Sequence, residues 1–356
     1  MNSPEATSRQ RLRIIDANLN RIGEGFRLLE DLARLVLNDA ALTQQLKTMR
    51  HELVTSDWPS YQQLLQARNA EGDVGINIKA PGQEKPRELP IIVTANARRV
   101  QESLRTIEEL AKLPDIAPKL NSEKFQQARF NLYTIEQRLV SKLLRQDKVK
   151  HLPGLYIIID TQALKGHSHI EVAKQAIQGR AKTIQLRDKL GNKKELLPIA
   201  QQLKNLCAEQ GVLFIINDYL DLALATDADG LHLGQDDLPI KVARQLLPIG
   251  KILGCSTTSA DQAITAESEG ADYIAVGSIY PTASKETAKV IGLDRLRQIR
   301  QAITLPIVAI GGITRDNVAE VMSAGADTVA VIRAILQAES PQEAARQIAA
   351  GLEAQK

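Results

Sequence analysis

The chain has 356 residues, of which 44% are hydrophobic, 24% charged and 3% aromatic, and its formal net charge is +3. This is the composition of a globular protein rich in aliphatic side chains, long enough for two cores of about 100–200 residues each. It excludes a fibrous or disordered chain, and so small a charge with so few aromatic rings argues against nucleic acid as a partner. The two cysteines, Cys207 and Cys255, lack metal-ligand spacing and read as thiols of a reducing compartment. Met1 to Arg11 is polar, and no run of about 18 apolar residues occurs, so neither a signal peptide nor a membrane span is predicted and the cytoplasm is the expected location.

Residues 1–147 read as mainly helical, with Leu, Ala, Arg, Glu and Gln recurring at three-and-four spacing. Only Val74–Ile78 and Leu89–Val93 look strand-like. This half also repeats itself: Asn18, Arg21, Glu24, Arg27, Glu30, Leu32 and Ala33 recur as Asn96, Arg99, Glu102, Arg105, Glu108, Leu110 and Ala111, a constant offset of 78 (96 − 18). Two related units, about 11–54 and 91–142, each a helix pair, folded together as a bundle, are the simplest architecture for that. Within each copy the charged residues fall every third position along one side of a helix, which predicts a solvated or inter-helix salt-bridge ladder. A ligand groove is the alternative. The basic stretch Lys148–His151 followed by Leu152-Pro153-Gly154 marks the expected domain boundary.

From residue 152 to 356 short apolar runs alternate with helical patterns, the mark of repeated βα units around a parallel sheet. Eight runs are found: Leu155–Ile159, Lys182–Leu186, Val212–Ile216, Gly230–Leu233, Ile252–Cys255, Tyr273–Val276, Ile307–Ile310 and Thr328–Ile332. Helical segments such as Lys194–Glu209 and Ser259–Gly270 lie between them, with Gly211 and Gly270 placed as helix stops. Eight strands in this length, with no glycine-rich dinucleotide turn after the first, predict a (β/α)8 TIM barrel preceded by the duplicated α-helical domain.

In such a barrel the active site forms at the C-terminal strand ends. Strand 2 runs into Gln185-Leu186-Arg187-Asp188-Lys189, where alternation sends Gln185, Arg187 and Lys189 to one side as a cationic cradle for a diphosphate. Strand 3 ends in Asn217-Asp218 and strand 4 in His232-Leu233-Gly234-Gln235-Asp236-Asp237. Asp218 and Asp237 on adjacent strands suit one Mg²⁺, which takes one or two carboxylates and completes its shell with water and phosphate oxygens. Asp236 is assigned as a cap of the next helix. Strand 5 contributes Ser256. Strand 6 leads into the long Gly277–Lys285 loop, with three aliphatic hydroxyls and an ammonium, the best-placed segment for a lid. Gly311-Gly312 after strand 7 and Arg333 after strand 8 match the barrel phosphate site. A metal-bound diphosphate beside a phosphorylated co-substrate points to displacement of diphosphate, with Arg187, Lys189 and Lys285 as the catalytic cations that stabilise the leaving group.

These motifs, taken in order over about residues 152–352, resemble thiamine-phosphate synthase. The resemblance implies a transferase that joins a 4-amino-2-methyl-5-(diphosphomethyl)pyrimidine to a 4-methyl-5-(2-phosphoethyl)thiazole, with one Mg²⁺ per active site. It further implies that Gln185, Leu186, Arg187, Asp188 and Lys189, with Asn217, Ser256 and Lys285, form the pyrimidine diphosphate site. Within that segment the side chains of Leu186 and Asp188 point away into packing and local hydrogen bonds. Asp218 and Asp237 would hold the metal, and Thr282, Ala283, Ser284, Gly312, Ile332 and Arg333 the thiazole phosphate. Two positions depart from the family pattern: many members have Thr at Ser284, and relatives often have Ser at Arg333, which predicts a charge-assisted phosphate contact here.

Two other readings are open to the sequence. A thiazole tautomerase relative would bind the thiazole phosphate but needs no complete diphosphate cradle. A non-catalytic sensor would use the barrel for ligand and the helical repeat for a partner. The helical half has no counterpart in single-domain members and is read as a scaffolding module or the contact of a homo-oligomer.

Overall fold

The computed structural model describes residues 4–54, 61–69, 71–72, 87–116, 118, 120–282 and 289–353, with no side-chain detail for residues 4–7. The chain divides into two compact units, Met1–Leu143 and Leu144–Lys356. Among the described residues no helix is long and apolar enough to cross a membrane.

The first unit contains α1 (Pro4–Asp31), which continues as one turn of π-helix at Leu32–Val36, then α2 (Ala40–Leu53), α3 (Tyr61–Ala67), α4 (Leu89–Leu110) and α5 (Ser122–Val149). Leu89–Val93, strand-like by composition, is instead the first turn of α4. Pro90 is tolerated there because an N–H in the first turn has no intrahelical partner, and Val93 is buried on the apolar stripe that continues through Ala97, Val100 and Leu104. Val74–Ile78 lies outside the described residues.

The 78-residue repeat of the sequence is also a repeat of contacts. Asn18 Nδ2 donates to the Ile14 carbonyl at 2.8 Å, and Asn96 Nδ2 to the Ile92 carbonyl at 2.9 Å. Glu30 and Glu108 are only 3% and 2% exposed. Each is bound by the arginine three residues earlier in its helix, Arg27 or Arg105, and by one on the following long helix, Arg50 Nε at 2.9 Å or Arg129 Nη2 at 3.0 Å. The ladder is therefore an inter-helix device around two buried carboxylates. Between the copies, α1 and α4 approach so closely that a Cβ at Gly25 would collide with Val100. Removing a partner from a buried ion pair leaves an uncompensated charge.

The second unit is a closed barrel of eight parallel strands in sequential order. The strands are β1 (Leu155–Asp160), β2 (Ala181–Arg187), β3 (Leu213–Asn217), β4 (Gly230–Leu233), β5 (Ile252–Thr257), β6 (Tyr273–Val276), β7 (Ile307–Ile310) and β8 (Thr328–Val331). Around them run α6 (His169–Gln178), α7 (Lys193–Glu209), α8 (Leu220–Ala225), α9 (Ile240–Leu246), α10 (Ala260–Glu269), α11 (Gly292–Ala302), α12 (Val318–Ser323), α13 (Arg333–Leu336) and α14 (Pro341–Glu353). One set of alternating residues, Leu155, Ile157 and Ile159 on β1 for example, packs outward against the helices. The other set, including Tyr156, Ile158, Ile215, Tyr273 and Val308, fills the lumen.

The N-terminal strand ends are fastened by a recurring aspartate. Asp229, Asp272 and Asp327, each just before an even-numbered strand, accept from Phe214, Leu253 and Ile307 N–H at 3.0, 2.9 and 2.8 Å. Lys204, Arg244 and Arg300 neutralise them from the flanking helices. The last residues of α5 belong to this unit and join the pattern, since Arg145 Nε lies 2.9 Å from Asp272. Because Glu108 sits between two guanidiniums, Glu108→Ala should destabilise the helical unit by about 3 kcal/mol, and Glu30→Ala by a similar amount. Chemical denaturation followed by helical circular dichroism checks this; a loss below about 1 kcal/mol would mean the pairs behave as exposed ones.

Candidate active site

At the C-terminal mouth of the barrel opens a cavity of about 950 Å³, within the usual range for a small-molecule site. It is walled by the strand ends and by the loops that follow β4, β6, β7 and β8. Parity decides which side chains reach it. On β2, Gln185 and Arg187 share the lumen-facing parity, and Lys189 extends that row into the cavity. Leu186, 1% exposed, packs outward against the helices. Asp188 accepts from the N–H groups of Leu190 and Gly191 at 2.9 and 2.7 Å, shaping the turn beyond the cradle. Both were counted with the pyrimidine diphosphate segment, but neither side chain lines the cavity.

Two of the cradle cations are already held by carboxylates. Arg187 Nη1 pairs with Asp160 Oδ2, its register partner at the end of β1. Lys189 Nζ lies 3.1 Å from Asp218 Oδ2. Asp218 itself has φ of +62°, a left-handed conformation that is unfavourable for a residue with a Cβ and that recurs at functional sites. Burial, and then the neighbouring Asp237 carboxylate, hold the Asp218 carboxyl above its ordinary pKa, against the opposing pull of Lys189. Asp237 also accepts the Gly234 N–H at 2.7 Å. Asp236 lines the cavity and does not cap the next helix: α9 starts at Ile240, with Pro239 at the capping position and no side-chain cap.

The cavity also brings in Asn217, Ser256, Thr282, Gly312, Ile332 and Arg333. Gly311 and Gly312 have φ of +103° and +65°, and a Cβ at either would strike the loop after β6, so only glycine fits this junction. Ala283, Ser284 and Lys285, the remaining predicted positions of the Gly277–Lys285 loop, lie outside the described residues. Lys289 was not predicted but lines the cavity, beyond the loop motif that drew attention to Lys285.

Deeper in the lumen lies a connected polar row that motif reading missed. Gln185 Nε2 donates to Tyr156 Oη at 2.9 Å, and the Tyr156 and Tyr273 hydroxyls are 3.1 Å apart. Tyr273 Oη is 3.0 Å from His232 Nδ1, and His232 Nε2 is 2.8 Å from Ser256 Oγ. Complete burial pushes the His232 imidazole down to about 4. An unfolded histidine titrates near about 6.5, so between these values the unfolded chain binds a proton that the folded chain does not. Stability should thus fall as pH drops from about 6.5 to about 4, by at most about 3 kcal/mol from this residue. Urea unfolding across that range, in wild type and in His232→Gln, isolates the contribution; identical pH profiles would exclude it.

The family model described as thiamine monophosphate synthase matches residues 155–335, and that of the ThiD2 family matches residues 13–138. A thiamine-phosphate synthase of Thermosynechococcus vestitus is 38% identical over 348 residues, covering 98% of this chain and 97% of that protein. Its counterpart in Synechocystis sp. is 39% identical, covering 94% of each chain. Among solved structures, thiamine phosphate pyrophosphorylase from Pyrococcus furiosus superposes with a TM-score of 0.54 at 40% identity, covering 58% of this chain and 98% of that one.

Proposed function

Because the chain belongs to the thiamine-phosphate synthase family, and is therefore a transferase of thiamine biosynthesis, we propose that its cavity performs a dissociative displacement of diphosphate. The substrates are 4-amino-2-methyl-5-(diphosphomethyl)pyrimidine and a 4-methyl-5-(2-phosphoethyl)thiazole. The observation that carries this reading is the convergence of Gln185, Arg187, Lys189, Asp218 and Asp237 on a cavity that also contains Gly312 and Arg333. One end has the charge for a diphosphate and the other the glycines and guanidinium for a single phosphate.

The C–O bond of the pyrimidine methylene breaks and its electron pair leaves with the diphosphate. The thiazole nitrogen then donates its lone pair to that carbon, and thiamine phosphate departs with diphosphate. The electron-rich aminopyrimidine ring spreads the transient positive charge. Arg187 and Lys189, with Lys285 added on the family resemblance, receive the charge that builds on the leaving group. Arg187 is oriented for this by Asp160, so little side-chain freedom is lost on binding. Gly312, Ile332, Arg333 and Thr282, joined on resemblance by Ala283 and Ser284, orient the thiazole phosphate.

The pair Asp218 and Asp237 fits a hard divalent cation: two carboxylates close enough that Asp237 raises the proton affinity of Asp218 are the donor set that Mg²⁺ takes together with water and phosphate oxygens. When bound, Mg²⁺ would supply neutralisation of the diphosphate oxygens. The cytoplasm is assigned from Cys207 and Cys255, both buried free thiols.

Full-length protein given both substrates and Mg²⁺ should release diphosphate, and a chelator should stop it; ligand binding without release would leave a sensor. Arg187→Ala should lower kcat/KM at least about 100-fold, as loss of a charge stabiliser does, and Asp188→Ala less than about tenfold. Equal losses would reject the division between cradle and turn. For the helical half we propose a scaffolding or oligomerisation role. A chain beginning at Leu144, which keeps the Arg145 contact to Asp272, should lose oligomeric state or turnover; wild-type behaviour in both would refute the role.

A further inference from the structure

We propose that Tyr156, Tyr273 and His232 are positioning residues that fix the direction of hydrogen bonding across the barrel lumen, setting Gln185 as an acceptor and Ser256 as a donor toward the pyrimidine substrate. The proposal rests on the substrate reading above and goes beyond it, because none of these three side chains is assigned there to the diphosphate, metal or thiazole sites.

The direction follows from counting protons. Gln185 Nε2 donates to Tyr156 Oη. The Tyr156 proton then has one acceptor among the described residues, Tyr273 Oη at 3.1 Å. Tyr273, having accepted, sends its own proton to His232 Nδ1 at 3.0 Å. A neutral imidazole with Nδ1 accepting carries its proton on Nε2, which therefore donates to Ser256 Oγ at 2.8 Å. The Ser256 hydroxyl hydrogen is left for an acceptor in the cavity, and at the far end Gln185 Oε1 is left for a donor. An aminopyrimidine bearing a diphosphate offers both kinds of partner: an exocyclic amine, and ring nitrogens or phosphate oxygens.

The surroundings hold the row in this state. Burial keeps His232 neutral, with its pKa at about 4, and raises both tyrosines above their ordinary range, so each group carries one proton to pass on. His232 stacks on Tyr273 with ring centroids 5.6 Å apart. Gly254 on β5 makes the arrangement sterically possible, since a Cβ there would collide with Tyr273 Oη and His232 Nδ1.

The test uses full-length protein with ¹⁵N-labelled histidine. NMR should find His232 as the Nε2–H tautomer in wild type and as a tautomer mixture in Tyr273→Phe, which removes the donor to Nδ1. An Nδ1–H tautomer in wild type, or no change in Tyr273→Phe, would overturn the proposal. In turnover assays Tyr273→Phe and Tyr156→Phe should raise KM for the pyrimidine diphosphate about tenfold, the cost of one hydrogen bond, and move KM for the thiazole phosphate less than about twofold. Equal changes in both would instead indicate a general packing defect and reject the relay. His232→Gln keeps an acceptor and a donor and should restore most of what His232→Leu loses; equal losses in the two would count against it. If wild type releases no diphosphate, the substrate reading fails, and the tautomer measurement still decides the relay.

Discussion

Closing eight parallel strands into a barrel forces every second side chain into a narrow lumen, and most of what this protein has to work with follows from that constraint. Residues of one parity face the helices and are mostly apolar; residues of the other parity share a confined space. Pairing is favoured for a polar group placed there, because an unpaired one costs about 1–3 kcal/mol, and Thr183 Oγ1 on β2 is an exception that stays unpaired among the described residues. Gln185, Tyr156, Tyr273, His232 and Ser256 meet the requirement by bonding to each other in a row. The same parity delivers Asp160, Arg187 and Asn217 to the mouth, where the lumen opens and charges gain access to ligand.

At the mouth the cations are set before a ligand arrives. Arg187 is paired with Asp160 across the β1–β2 register and Lys189 with Asp218, whose left-handed backbone turns the chain out of β3. Where such pairs are buried, good geometry and further hydrogen bonds have to offset the cost of desolvation. Here the opposite, N-terminal end of the barrel carries much of the structural charge pairing, through Asp229, Asp272 and Asp327 and the basic residues that meet them. Stability and chemistry are thus assigned to opposite ends of one sheet, as barrel topology favours.

The helical unit solves a different problem with a repeated device. A bundle of long helices rich in Arg and Glu has limited apolar surface, and each copy of the repeat buries one glutamate between an arginine of its own helix and one of the next. The offset of 78 residues in sequence reappears as matching hydrogen bonds at Asn18 and Asn96. The extent of the matches to full-length relatives shows that such a half accompanies the barrel in other thiamine-phosphate synthases, whereas the Pyrococcus furiosus enzyme matches the barrel region by itself.

The sequence by itself determined the barrel, its strand positions to within about two residues, and the internal repeat, because βα alternation, helical spacing and repetition are local patterns that no long-range contact alters. It also pointed to the strand-end residues that the structure gathers at the mouth, since chain order alone puts them there once the fold is known. It misread Leu89–Val93, where β-branched composition competes with a proline that suits a first helical turn, and it assigned Asp236 a cap that Pro239 precludes. For strands such as Leu155–Asp160, buried on both sides with no alternation to read, only the tertiary structure decided which parity faces the lumen. For the same reason Asp160 beside Arg187, Lys189 beside Asp218, and the row through Tyr156, Tyr273 and His232 were out of reach of the sequence. Each joins residues from different strands, and their meeting is a matter of register and barrel closure.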